Sequence, residues 1–164
     1  IQNFHLEGNQ AGQDTSGSDN QNGITFTGVS TSTINNVTAN DFQEYGIYLT
    51  ASHGNKVTDS TANKNENFGI RINASFNNTF TRNIANSNIQ TGIILLSSND
   101  NVLTGNITNS NTQYGIYLNA SLHNTVTANI VDNNGEGCAV VVVVAGVCAG
   151  VADVGGVVEI AVVV

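Results

Sequence analysis

The chain has 164 residues, 40% hydrophobic and only 10% charged, with 12 Asp+Glu against 4 Lys+Arg for a net charge of −8. That length suits one domain with a real core, and the acidic balance excludes the basic footprint that nucleic acid or an anionic membrane requires. Pro, Trp and Met are absent, while 27 Asn all precede residue 135.

Taken in chain order, residues 1–22 read as an entry strand and a polar loop. The chain opens at Ile1 with no charged-then-apolar leader, as expected of a mature form or a fragment. The loop, from Gln10 to Asn22, holds Asp14, Ser16, Ser18, Asp19 and Asn22. Oxygen donors of this kind suit weak Ca²⁺ binding, with Asp14 and Asp19 as the candidate ligands.

Residues 23–137 repeat. Gly-Ile pairs begin at Gly23, Gly46, Gly69, Gly92 and Gly115, a constant step of 23 residues. Asn55, Asn78, Asn101 and Asn124 keep the same step, with Ser32 in the equivalent first place. So do Asn40, Asn63, Asn86 and Asn109, then Asp132. An apolar column runs Ile34, Val57, Phe80, Leu103, Val126. Helical repeats need longer units and better helix formers, and leucine-rich repeats need more Leu per unit. Short alternating stretches separated by Asn, Ser and Gly predict strand, turn, strand, turn. One turn of a parallel β-helix per 23 residues, with about three strands per coil, fits this pattern. The predicted fold class is all-β, a right-handed single-stranded parallel β-helix of five coils.

Stacking explains the Asn. Coils about 4.8 Å apart bring each Asn against its own copy. Its amide then donates to one neighbour and accepts from the other, and Asn also tolerates a left-handed turn. Period-two alternation points Ile47, Ile70, Ile93 and Ile116 inward, with Leu49, Ile72, Leu95 and Leu118. It leaves Tyr48, Arg71, Ile94 and Tyr117 outward, beside a second outward row of Tyr45, Phe68, Thr91 and Tyr114. A third outward set is the Thr58, Thr81, Thr104, Thr127 row.

Residues 138–164 change composition, to thirteen Val and no Asn, Ser or Thr. Three readings stand open: a β-rich cap or sixth coil, the start of an anchoring segment, or residues that are not the authentic continuation. The last is favoured because a cap needs a polar outer face. The uncharged run is too short and Gly-broken for a membrane span. Both cysteines, Cys138 and Cys148, stand here and say little about redox compartment.

The pattern Gly-Ile-x-Leu, Ala/Ser-Ser, Asn, Val-Thr, Asn, Tyr over residues 23–137 resembles the right-handed β-helix repeats of NosD-like proteins. It is equally similar to those of carbohydrate-active β-helix enzymes, and Ile1–Asn9 resembles the entry strand of pectate-lyase-like chains. The resemblance implies an acidic polysaccharide as partner, at the outward face of the Gly-Ile-x-Leu sheet. Lyases and epimerases of this fold need a base, an acid and positive charge or Ca²⁺ against a uronate carboxylate. The substrate-binding candidates are Tyr45, Tyr48, Arg71, Tyr114 and Tyr117, with Glu44, Glu66 and His53 at the margins. Arg71 is the best single candidate for the carboxylate contact, and the aromatics could stack on sugar rings. The catalytic residues stay unassigned. Mannuronan epimerases that this chain resembles carry Tyr-Gly-x-Asp-x-His, and here Tyr48 and Thr50 stand at the Asp and His places, as Tyr117 and Asn119 do later. The NosD resemblance suggests copper, yet the chain has no Met and its Cys and His are not clustered.

The expected function is therefore an extracellular or cell-surface β-helix that binds or processes polysaccharide. The alternatives are a structural or adhesive solenoid and, further off, ice binding through the Thr columns.

Overall fold

The computed structural model describes residues 1–8 and 21–136, and the strands within residues 138–162 at the level of backbone pairing. It is a right-handed parallel β-helix. One sheet stacks Ile24–Thr27, Tyr45–Thr50, Phe68–Asn73, Ile93–Leu96, Ile116–Asn119, Cys138–Val142 and Val158–Val162. A second stacks Gln2–Glu7, Thr33–Asn40, Lys56–Thr58, Thr79–Thr81, Val102–Thr104, Thr125–Thr127 and Val147–Ala149. The third holds Ile107–Asn109, Ile130–Asp132 and Ala152–Asp153, and single bridges from Thr38 through Thr61 and Ile84 extend it toward the N-terminus. Every pairing is parallel, and the register Ile24↔Ile47↔Ile70↔Ile93↔Ile116 follows the Gly-Ile repeat. In the Val-rich tail, Cys138 pairs with Ile116 and Val158 with Cys138. Among the described residues no helix is long and apolar enough to cross a membrane.

Alternation sorts the core as the repeat predicts. Ile47, Ile70, Ile93 and Ile116 are wholly buried, as are Leu49, Ile72 and Leu95 and the column Ile34, Val57, Phe80, Leu103. Each such side chain contributes roughly 1.5–3 kcal/mol before conformational entropy is set against it. At the corner entering the first sheet the chains approach too closely for any side chain. A Cβ on Gly69 would lie 2.7 Å from both the Ala62 and Gly92 carbonyl oxygens and 2.8 Å from the Ala85 Cβ.

The polar corners are held by side chains that cross from coil to coil. Asn78 Oδ1 accepts both the backbone N–H (2.9 Å) and the Nδ2 (3.1 Å) of Asn55, and Asn101 Oδ1 accepts the same pair from Asn78. Two more ladders of this kind run Asn65, Asn88, Asn111, Asn134 and Asn83, Asn106, Asn129. They stand on the same 23-residue ruler, although sequence reasoning singled out neither. The Asn40, Asn63, Asn86, Asn109 column differs from the expected amide chain: each side-chain oxygen takes a single backbone N–H from the following coil.

Left-handed turns account for little of the Asn content. Each complete coil bends at four positions of positive φ, filled by Ala51, Gly54, Asp59 and Lys64 in one coil and Ala74, Asn77, Arg82 and Ser87 in the next. The ladder residues Asn55, Asn78, Asn101 and Asn124 are not among them. These asparagines are selected by stacking rather than by turn conformation.

Candidate functional site

The outer face of the first sheet carries two rows of side chains, set by strand register. Tyr48, Arg71, Ile94 and Tyr117 occupy one row, each above the next. Tyr45 and Phe68 stand opposite each other in the second, which continues through Thr91 and Tyr114.

Arg71 leans back toward the preceding coil. Its Nη1 donates to the Tyr45 hydroxyl, and its guanidinium lies 4.8 Å from the Tyr45 ring centroid, 5.0 Å from that of Tyr48 and 6.0 Å from that of Phe68. The rings pack on each other: Tyr45 stacks on Phe68 at 5.4 Å and meets Tyr48 edge-on at 5.2 Å. The charge therefore sits in an aromatic cage that favours a cation. Arg71 Nε is buried without a hydrogen-bond partner. Among the described residues no carboxylate pairs with this side chain, whereas Arg82 is clamped to Asp59 through Nε at 2.7 Å and Nη2 at 2.8 Å.

Tyr45 titrates above its ordinary value. Burial is the largest cause, the Glu44 carboxylate and Tyr48 add to it, and Arg71 opposes them. Its hydroxyl thus stays neutral, accepts from Arg71 and keeps its own proton to donate.

The five sequence-predicted residues divide into two groups. Tyr45, Tyr48 and Arg71 form one cluster, and Phe68, left out of the predicted set despite standing in the same row, belongs with them. Tyr114 and Tyr117 stack on each other at 4.7 Å in a coil two steps further on. Between the two groups Thr91 and Ile94 are buried, at 1% and 5% exposure. Ile94 was expected outward, and its position does face outward, but its neighbours cover it and it lies outside the inner core. Glu44 and Glu66 are half-buried. His53 is exposed and stacks on Phe76 at 5.0 Å, at a different corner of the coil. Asp14 and Asp19, the expected Ca²⁺ ligands, lie outside the described residues. Among the described residues no three His, Cys, Asp or Glu side chains group as metal ligands. A cavity of about 440 Å³ opens at the N-terminal mouth of the solenoid, lined by Ile1, Phe4, Leu6, Gly23, Ile24 and Thr25, and none of these belongs to the Arg71 cluster.

Chemically, the cluster offers one positive charge, a neutral hydroxyl and ring surface. A guanidinium can pair with a carboxylate, and aromatic rings can pack on an apolar face. It contains no imidazole, and the Glu44 carboxylate acts on Tyr45 through its charge.

The model of a family described as periplasmic copper-binding protein (NosD) matches residues 1–145. Two solved structures of mutants of the periplasmic alginate epimerase AlgG, one single and one double, share the fold. Each has a TM-score of 0.69 and 22% sequence identity, over 73% of this chain and 33% of the epimerase. The chain thus spans about a third of the length of those structures. No curated protein matches it.

Proposed function

The chain belongs to the NosD family, and from that premise we propose that it is a polysaccharide-binding β-helix of the cell envelope, with the Arg71 cluster as its contact for an acidic sugar unit. The observation that carries this reading is a cation held over three aromatic rings on the outer face of the first sheet, with no carboxylate paired to it among the described residues. A uronate carboxylate would pair with the guanidinium, and the half-buried rings of Tyr45 and Tyr48 would flank the sugar. The periplasmic descriptions of the family and of AlgG support an envelope location.

We read the site as one of binding rather than turnover. Proton abstraction beside a uronate carboxylate needs a base within hydrogen-bond reach. Tyr48 and Thr50 stand where the epimerase pattern has Asp and His, and Tyr45 is held in its neutral form.

Copper enters through the family's description and does not fit the described residues. Copper favours imidazole, thiolate and thioether donors gathered in one place. The chain has no Met. His5, His53 and His123 belong to no group of three or more potential ligands.

The test is equilibrium binding to alginate, polygalacturonate and neutral polymers, with and without Ca²⁺, together with assays for new unsaturated ends and for epimerisation. Binding that Arg71→Ala abolishes, with the circular dichroism spectrum kept, is the expected result. Retention of no polymer overturns the reading and leaves a structural or adhesive solenoid.

A further inference from the structure

Two tyrosine pairs stand in the same two rows of the first sheet, and their rings are arranged differently. Tyr114 and Tyr117 stack nearly parallel, 4.7 Å apart at 13°. Tyr45 and Tyr48 meet edge-on, at 5.2 Å and 65°. On the following coil the residue in register with Tyr48 is Arg71, whereas Tyr117 has Ala139. The pair followed by alanine closes on itself. The pair followed by arginine is turned open, with the guanidinium 4.8 Å from the Tyr45 centroid and 5.0 Å from that of Tyr48.

This arrangement gives the Tyr45 hydroxyl a direction. Its oxygen accepts from Arg71 Nη1, and a neutral phenol has one proton left to donate. The positive charge on one side of the oxygen repels that proton, so it turns to the other. Among the described residues nothing accepts it, and the Tyr45 side chain is half-buried rather than enclosed.

Two donors from consecutive coils, the Arg71 guanidinium and the Tyr45 hydroxyl, therefore lie in direct contact. A carboxylate brings two oxygens and a negative charge to them, and hydrogen bonds to an ionised acceptor are roughly twice as strong as neutral ones. A sugar hydroxyl offers one oxygen and no charge.

We infer that the Tyr45 hydroxyl donates to the bound carboxylate alongside Arg71, which makes Tyr45 a specificity-determining residue for acidic over neutral sugar units and not only a stacking ring. The inference rests on the polysaccharide-binding reading above.

Tyr45→Phe removes the hydroxyl and keeps the ring that stacks on Phe68. Calorimetry at neutral pH compares polygalacturonate with the same polymer after reduction of its carboxyls to alcohols. Tyr45→Phe should weaken binding of the acidic polymer about tenfold and leave that of the reduced polymer unchanged. A second variant, with 3-fluorotyrosine in place of Tyr45, separates direct donation from mere support of Arg71. Fluorine makes the hydroxyl a stronger donor and a weaker acceptor, so direct donation predicts tighter binding and support of Arg71 predicts weaker. Unchanged or tighter binding of the acidic polymer by Tyr45→Phe overturns this inference alone, as does weaker binding by the fluorinated chain. Failure of the unaltered chain to bind any polymer overturns the polysaccharide reading, and this inference with it.

Discussion

Arg71 reaches back across a coil to donate to the Tyr45 hydroxyl while its guanidinium lies 4.8 Å from the centroid of the Tyr45 ring. One side chain thus meets both the ring and the hydroxyl of the same tyrosine, and its charge opposes the burial that keeps the hydroxyl protonated. Burial and Glu44 raise the Tyr45 pKa, and Arg71 pulls against them.

Tyr45 therefore titrates in opposite directions in two variants. Arg71→Ala should move its ionisation further up, and Glu44→Gln should move it down, read from tyrosinate absorbance in an alkaline titration. The sign for stability follows from the raised value in the folded state. The Tyr45 contribution is fully present below the unfolded-state pKa of about 10. It is lost as pH rises from there through the higher folded-state value. A Tyr45→Phe variant should lose less stability than the parent across that alkaline window.

Asn88 and Asn86 stand two residues apart and should differ in cost when replaced by Ala. Asn88 accepts two hydrogen bonds from Asn65 and donates to the Ala62 carbonyl and to Asn111. Asn86 Oδ1 accepts only the Asn109 N–H. Asn88→Ala should cost about 3 kcal/mol and Asn86→Ala about 1 kcal/mol in urea denaturation, because each buried orphan carries its own desolvation penalty. Equal midpoints for the two variants would contradict the ladder geometry.

Ala74 sits at a φ of 45°, with its side chain exposed. An L-residue with a Cβ pays roughly 1 kcal/mol there and Gly does not. Ala74→Gly is expected to raise the melting temperature, against the usual direction for Gly substitutions.

Thr108 Oγ1 is buried with no hydrogen-bond partner. It falls in the inward column that holds Ala39, Ala62, Ala85 and Val131, all wholly buried. Thr108→Val keeps the shape and removes the orphan, so it should stabilise the chain by about 1–2 kcal/mol. A lower denaturation midpoint would show that the hydroxyl has found a partner.

Much of this was legible in the sequence because a solenoid converts distance along the chain into position in space. A constant step of 23 residues places Ile47 against Ile70 and Asn55 against Asn78 without further information. The Asn83 and Asn88 ladders were readable by the same rule. Column identity could not reveal the direction of each hydrogen bond, and the Asn86 column is bonded through the backbone rather than amide to amide. Nor could it separate Tyr45 and Arg71 from Tyr114 and Tyr117, since all four occupy the same two rows.

Period and alternation by themselves determined the coil, the inward columns and the set of side chains on each outer face, because stacked parallel strands leave register no freedom once one face is buried. Only the tertiary structure decided how those outer side chains lie on one another: that Arg71 turns toward Tyr45 rather than Ile94, that Ile94 and Thr91 are covered, and that Tyr114 and Tyr117 stand apart as a second pair. The backbone repeat is indifferent to such choices. Side-chain rotamers settle them through contacts between neighbouring coils, and those contacts depend on the residues of both coils at once.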